Sequence, residues 1–417
     1  MTDLIPRGLL PRGREFLNYF PAVVIQGARQ VGKSTLAGML VADRPHAVVS
    51  LDDPRERDAV AADPWAFVNQ VKDGVLVIDE VQRQPDLLLT VKASIDRDRR
   101  PGRFILTGSS NILAAGGGDS LAGRAVDLPL RGLSQAEIAG CAGAGETLVD
   151  RLVTGATGWR EVVSTWGRRD YLTMLESGTY PEARSMPQRV RAAWIAAYLE
   201  RIMSHDLAEV PGGGNAPRLR RVLALLAANQ SGELVKARLA GATGIPESTI
   251  GTYVDALATV YLIDRLRPWT PNLTKRETGR SKVSVADSAL AMQVNSQTAA
   301  SLLPLTQDGI GPLLESFVVG ELVSQAGWAQ ESYRVFHYRD RNGKEVDAVI
   351  ELDDGRVLGI EVKASSTFRA EHFAGLAFLM DKLGDRFVAG VVLGTSDRGY
   401  QYADRLWGLP VSSLWEV

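Results

Sequence analysis

The run Gly27-Ala28-Arg29-Gln30-Val31-Gly32-Lys33-Ser34 fits the pattern G-x-x-x-x-G-K-[ST] at every position, and Thr35 follows it. Each residue type has a reason to be there. The glycines let the backbone bend so that its N–H groups point inward around phosphate oxygens. Lys33 reaches the β and γ phosphates, and the Ser34 hydroxyl holds Mg²⁺. Such a string also arises by chance as a glycine-rich turn. Here it follows an apolar run, Val23-Val24-Ile25, and opens a helical pattern from Ser34 to Leu40. Strand, loop, helix is the context this chemistry requires, so Gly27 to Thr35 is the expected ATP site.

Two further places bear on that site. Asp79 and Glu80 close the apolar stretch VLVIDE. An acid at such a strand end holds the magnesium shell, and a Glu after it can polarise the attacking water. A solvated strand edge is the plainer reading. Downstream, RFILT runs into Gly108, Ser109, Ser110 and Asn111. Asn111, or either serine, can hydrogen-bond a γ phosphate or the water, or can simply cap a helix. Arg124, in SLAGRAVDLPL, is either an arginine finger supplied to a neighbouring subunit or a surface arginine.

A second constellation lies near the end of the chain. Thirteen residues separate Asp347 from the triplet Glu361-Val362-Lys363. The strands DAVIEL and VLGIEVK, joined by the turn Asp353-Asp354-Gly355, form a hairpin that brings Asp347 and Glu361 together. Two carboxylates there can hold Mg²⁺, and Lys363, two residues on along the same face, can orient or activate a water. Glu315 lies in the helical stretch GPLLESFVVGEL on one stripe with Val318, Val319 and Leu322, so it points inward. A buried glutamate needs a partner, and the metal shell would supply one. The alternative is a solvated hairpin with ordinary surface charges.

The elements that must position these groups follow from pattern. Continuous apolar strands at Val23–Ile25, HAVVSLD, VLVIDE and RFILT alternate with helical stretches, which predicts a parallel sheet covered on both faces. Residues 161–260 are mostly helical. The stretch PGGGNAP reads as a linker, and three helices follow, the last opening at Pro246 and running to Val260. A strand-like piece, Tyr261 to Leu266, and a basic turn, KRETGRSK, come next. That order is the layout of a winged helix-turn-helix. Ser248, Thr249 and Thr252 suit a recognition helix, or any exposed helix start. Arg218, Arg220, Arg221, Lys275, Arg276, Arg280 and Lys282 are expected to form a basic patch for DNA or for a protein partner. Beyond residue 305, a helix, the strands YRVFHYRD, VDAVIEL and VLGIEVKA, a helix beginning near Thr367 and a last strand, VAGVVLG, make an α/β module. The expected domains are residues 1–150, 151–304 and 305–417.

Bulk properties narrow the class. A chain of 417 residues is too long for one ordinary core. With 45% hydrophobic and 23% charged residues it reads as folded, and a net charge of −2 gives no global pull toward nucleic acid. The single cysteine, Cys141, excludes an intrachain disulfide and a cysteine zinc cluster. His46, His205, His337 and His372 are scattered without ligand spacing. No apolar run approaches the length of a membrane span, and the first residues, broken by proline, glycine and charge, do not read as a secretory signal. A cytoplasmic protein without membrane partners is expected.

The ordered set GARQVGKST, VLVIDEVQ, FILTGSSN and LAGRAVDLPLRGLSQAE resembles the AAA-type ATPase domain of a widespread bacterial and archaeal family. In that family a poorly characterised C-terminal region follows the ATPase. ESGTYPEA, AYLERIMSHDL, STIGTYVDAL and RPWTPNLTKRETGRSKVSVADSALA continue the match over nearly the whole chain. The chain is also similar to archaeal ATPases with a winged helix and a nuclease-like tail. The resemblance implies an AAA+ homo-oligomer, a hexameric ring, with ATP at subunit interfaces. It implies the usual ATPase roles for Lys33, Asp79 and Glu80, and adds weight to Arg124 as a finger. The wing departs from the expected lysine-rich stretch. Over about residues 310–395, Glu315, Asp347, Glu361 and Lys363 resemble the PD-(D/E)xK nuclease fold, which serves cleavage in some proteins and binding alone in others.

The function expected on these grounds is an ATP-driven motor or switch on DNA, with branch migration of Holliday junctions as one concrete form. The rivals are an ATP-gated, Mg²⁺-dependent DNA nuclease, and a signalling or defence ATPase whose winged helix binds protein.

Overall fold

Strands that are apolar throughout need cover on both faces, and the first part of the chain supplies it. A computed structural model describes residues 4–109, 121–143, 145–306 and 309–416. Its contacts divide the chain into two units, Met1–Leu133 with Thr259–Tyr261, and Ser134–Ala258 with Leu262–Val417.

The first unit is built on five strands: β1 (Ala22–Gln26), β2 (His46–Ser50), β3 (Val75–Asp79), β4 (Phe104–Gly108) and β5 (Ala125–Pro129). Their order is β2-β3-β4-β1-β5, and every pairing is parallel. β1 and β4 are buried along their whole length, and β3 as far as Ile78. Val24, Leu76, Ile78 and Leu106 pack with Leu88, Val91 and Ile95 of the helix Leu87–Arg97. β5 was not anticipated. Its sequence AVDLP carries Asp127 and Pro129, which an edge strand tolerates and a central strand does not. The order places β4 between β1 and β3, so the loop after β1 and the acids after β3 meet across the end of β4.

The second unit holds two sheets. A helix, Ala216–Ala228, leads to β6 (Gly232–Glu233). The helices Lys236–Thr243 and Glu247–Thr259 follow, then β7 (Ile263–Leu266) and β8 (Lys282–Val285). These three strands form an antiparallel sheet in the order β6-β8-β7. The larger sheet runs β13-β14-β12-β11-β10-β9. Its strands are β9 (Tyr333–Arg339), β10 (Glu345–Leu352), β11 (Val357–Lys363), β12 (Phe387–Gly394), β13 (Tyr400–Ala403) and β14 (Leu406–Pro410). β9, β10 and β11 pair antiparallel, whereas β12 is parallel to both β11 and β14.

Several expectations change here. The stretch KRETGRSK is not an open basic turn. Asn272 caps a helix, Leu273–Thr278, and the chain then enters β8, so Arg276 and Lys282 are buried. VAGVVLG is not the last strand, since β13 and β14 follow it. The helix expected near Thr367 starts at Ala374, after a 3-10 turn, Ala370–Phe373. The Ser365 hydroxyl accepts from the Thr367 amide at 3.2 Å, a local turn that competes with helix. The second compact unit takes in both residues 151–304, apart from Thr259–Tyr261, and residues 305–417. That unit begins at Ser134, before residue 150, for a visible reason. Ser134 and Glu137 form a capping box for the helix Gln135–Ile138, and the Gln135 amide donates to buried Glu321 at 2.9 Å. Among the described residues no helix is long and apolar enough to cross a membrane.

Candidate functional site

The phosphate loop leaves β1 at Gln26 and ends in the helix Lys33–Val41. Two glycines are required by geometry. A Cβ on Gly27 would lie 2.0 Å from the Leu130 carbonyl oxygen, where the chain leaving β5 crosses the loop. Gly32 has φ +98°, a left-handed conformation that costs other residues strain. The Lys33 ammonium donates to the carbonyls of Gly27 at 3.2 Å and Ala28 at 2.9 Å. From outside, the buried Arg7 guanidinium donates to Val31 O at 2.8 Å and to Arg131 O at 2.8 Å. Arg7 thus ties the loop to the segment after β5. No motif announces it, and the sequence reading missed it.

Ser34 and Asp79 meet as the strand order requires. The Ser34 hydroxyl donates to Asp79 Oδ1 at 2.9 Å, and the Thr107 hydroxyl, at the end of β4, donates to the same oxygen. A hydroxyl and a carboxylate this close fit one Mg²⁺ coordination shell. Thr107 was also missed, although its place at the strand end before Ser109 was the available signal. Glu80 has φ +57°, and its amide donates to Thr107 Oγ1 at 3.2 Å. Its carboxylate accepts from Gln82 Nε2 and from Ser109 Oγ, the latter at 3.4 Å. Ser110 and Asn111 lie outside the described residues.

Arg124 stands elsewhere. It precedes β5, and its carbonyl accepts from the Ala22 amide at the start of β1, whereas the phosphate loop follows the end of β1. Five strand residues separate the two ends, about 17 Å. Arg124 therefore does not serve the site of its own chain. Its guanidinium pairs with Asp96 at 2.8 and 3.0 Å and holds that carboxyl below its usual range.

The second constellation gathers around a residue that the sequence reading assigned to a wing. The register that pairs Ala348 with Ile360 brings Asp347 beside Glu361, at an irregularity in β10 between Val346 and Val349. Asp347 Oδ2 accepts from the Val362 amide at 2.9 Å, and Lys363 Nζ donates to Glu361 Oε1 at 2.6 Å. Glu315, on the helix Ile310–Gln325, reaches the same place. Into these acids runs Lys282, only 4% exposed. Its ammonium lies 2.7 Å from Glu315, 2.8 Å from Glu345 and 3.4 Å from Asp347.

Charge decides how this cluster ionises. Burial alone would push the Lys282 ammonium toward neutrality, but Glu315, Asp347 and Glu345 outweigh it and hold the proton firmly. Burial pushes the Glu315 carboxyl up to about 8, with Asp347 adding to it and Lys282 opposing. Burial, then Asp347, pushes Glu361 up to about 7 against the pull of Lys363. The two partners of the 2.7 Å pair thus shift in ways a simple ion pair would not give. Four acids, Glu315, Glu345, Asp347 and Glu361, face Lys282, Lys363 and, 3.9 Å from Glu345, Arg339, so acids still outnumber cations and burial favours holding a proton in the cluster. Glu361 Oε2 is buried and has no hydrogen-bond partner among the described residues. Among those residues, no group of three or more His, Cys, Asp or Glu is arranged to hold a metal ion.

The segment between β7 and β8 delivers Lys282 because it is fastened along the larger sheet. Arg276 Nη2 donates to Glu351 Oε1 at 2.7 Å, Arg276 Nη1 donates to Oε2, and Trp269 Nε1 donates to Oε1 at 3.1 Å. His337 Nε2 bonds the Arg280 carbonyl at 3.0 Å. Burial first, then Lys282, lowers that imidazole to about 4. The expected basic patch shrinks accordingly. Arg276 and Lys282 are buried, Arg220 pairs with Glu200, and Arg218, Arg221, Lys275 and Arg280 remain exposed. On the helix Glu247–Thr259, Ser248 is exposed beside Glu247. Thr252 lies against the linker, where a Cβ on Gly212 would come within 2.2 Å of its methyl.

Comparison with known proteins agrees with the first unit. Residues 19–139 match the model of an AAA domain. Residues 168–301 and 310–414 match two domains of unknown function, DUF8612 and DUF4143. Uncharacterized proteins of Mycobacterium tuberculosis and Mycobacterium bovis are each 28% identical over 366 residues, 87% of this chain and 74% of theirs. A Walker-type ATPase of Pyrococcus abyssi is similar at 16% identity and a TM-score of 0.45, over 70% of this chain and 96% of that one. RuvB of Thermotoga maritima is similar at 17% identity and a TM-score of 0.28, over 66% of this chain and 88% of that one. The first unit is an AAA-type P-loop ATPase domain.

Proposed function

We propose that this chain is an ATP-hydrolysing motor or switch that acts on DNA as a homo-oligomer in the cytoplasm. One observation carries the hydrolytic part. Ser34 Oγ and Asp79 Oδ1 sit 2.9 Å apart beside a loop whose lysine is bonded to neutral carbonyls. Mg²⁺ held by that pair would neutralise charge on the β and γ phosphate oxygens. Lys33 would turn from Gly27 O and Ala28 O to the phosphates. Glu80, steadied by Gln82 and Ser109, would orient the attacking water. Arg124, at the far end of the sheet, suits service to the nucleotide of the next subunit in a hexameric ring, where it would exchange Asp96 for a γ phosphate.

The DNA part rests on the second unit. Helix, β6, helix, helix and β7 follow one another, then the short helix Leu273–Thr278 and β8, an order that supports a winged-helix reading with a helix in place of the open wing. Exposed Arg218, Arg221, Lys275 and Arg280 offer cations to phosphates. The helix bearing Glu315, the hairpin and Glu361-Val362-Lys363 support a PD-(D/E)xK-like module that grips duplex or branched DNA, and branch migration of junctions is one outcome. A protein partner is the second reading, favoured by acidic Glu247 and Asp255 on the helix that would enter a groove.

The test is ATP turnover with and without duplex, single-stranded and four-way DNA, for wild type and Lys33→Ala. Stimulation in wild type alone supports the proposal. Unchanged turnover, together with no gel shift on any of these DNAs at low salt, sinks the DNA part and favours a protein partner.

A further inference from the structure

The nuclease-like reading of the hairpin implies a divalent metal among Glu315, Asp347 and Glu361, and the side chains do not fit one. The place where a cation must sit already has one. Lys282 Nζ lies within 2.7–3.4 Å of carboxylates from the helix Ile310–Gln325 and from β10. A metal would have to displace a buried ammonium carried by β8, and Arg276 with Glu351, and the Arg280 carbonyl with His337, fasten the chain just before that strand. Asp347 spends its other oxygen on the Val362 amide, and Glu361 spends one on Lys363.

We propose that Lys282 is a built-in cation that takes the place of the metal, so that the second unit carries a metal-free cluster and does not cut DNA. A lysine ammonium neutralises charge but polarises no water, so the Glu361-Val362-Lys363 triplet has no metal-bound nucleophile to activate. The acids then serve to anchor β8, and with it the whole segment from Arg267 to Lys282, to the larger sheet. Any role in DNA handling falls to the exposed faces and not to the cluster.

This inference rests on the nuclease-like reading only for the identity of the displaced ion, and its test does not involve DNA. Mn²⁺ is titrated calorimetrically into the full chain without nucleotide. Wild type, Asp347→Asn, Lys282→Ala and the double variant are compared, so that sensitivity to Asp347 separates this cluster from the phosphate loop. Wild type should show no Mn²⁺ site that Asp347→Asn removes. Lys282→Ala should gain one site, at least tenfold tighter than any wild-type binding, and the double variant should lose it. A wild-type site that depends on Asp347 overturns the proposal, as does a folded Lys282→Ala that gains none. Should Lys282→Ala fail to fold, the wild-type and Asp347→Asn titrations decide alone, because the proposal forbids any difference between them.

Discussion

Both units place acids beside a buried lysine, and the two lysines do opposite things. Lys33 donates to the carbonyls of Gly27 and Ala28, neutral groups that an arriving phosphate outcompetes. Lys282 donates to carboxylates, which only another cation can replace. The carboxylate of the first site, Asp79, is bonded among the described residues only by two neutral hydroxyls, through Oδ1. The acids of the second are already paired with lysines of the same unit. Motif-level similarity between the sites therefore hides a difference in sign: one is set to receive a polyanion with its metal, and the other is already filled. Coulomb attraction in a partly dry interior makes that difference large.

The comparison breaks most visibly if Lys282 can be lost without harm. Lys282→Ala leaves buried Glu315 and Asp347 without their cation and should cost about 3–5 kcal/mol in chemical denaturation, with Mn²⁺ restoring part of it. An effect near zero would mean the cluster does not need the lysine. In the other site, Lys33→Ala should leave folding intact and lower ATP turnover at least about a hundredfold, the scale for losing a preorganised charge donor. Equal loss of stability in the two variants would erase the contrast.

A third experiment sharpens it through pH. His337 ionises in the folded chain only near about 4, because burial and the nearby Lys282 disfavour its charge, with Arg339 opposing and Glu345 favouring protonation less strongly. A depressed histidine stabilises the fold fully above its unfolded value of 6.5, and that contribution is lost as pH falls toward 4. By pH 5 wild type should have lost about 2 kcal/mol that His337→Gln does not lose. Parallel denaturation curves for the two proteins from pH 7 to 5 would count against a buried, neutral imidazole beside Lys282. The smallest effect is expected at Arg7. Arg7→Ala removes the donor to Val31 O and Arg131 O and should weaken ATP binding about tenfold, near 1.4 kcal/mol, read by fluorescent-nucleotide titration.

What could be read in the sequence was local. The loop from Gly27 to Ser34 is contiguous, its strand and helix adjoin it, and VLVIDE carries its acids at its own end. The hairpin of β10 and β11 is likewise local, so Asp347 and Glu361 could be set side by side from a turn and a period of two. What escaped came from elsewhere in the chain. Arg7 reaches the loop from a segment with no pattern. Thr107 matters only because β4 lies between β1 and β3. Lys282 stands among Arg280, Ser281 and Val283, where charge density suggested a solvated wing, and its burial is set by Glu315, Glu345 and Asp347, thirty or more residues away. β5, β13 and β14 are edge or near-edge strands, short and interrupted by proline or polar residues, and they lack the continuous apolar runs that marked the centre of each sheet.

The ammonium in the acid pocket also bears on how such modules change over evolutionary time. A single base separates lysine codons from those of threonine, glutamine, glutamate and methionine. One mutation at position 282 would therefore vacate the cation's place while every acid around it stayed as it is. Metal use in a module of this shape would then turn on one position, at a cost in stability, and a count of acids and the E-x-K triplet alone would score both forms alike.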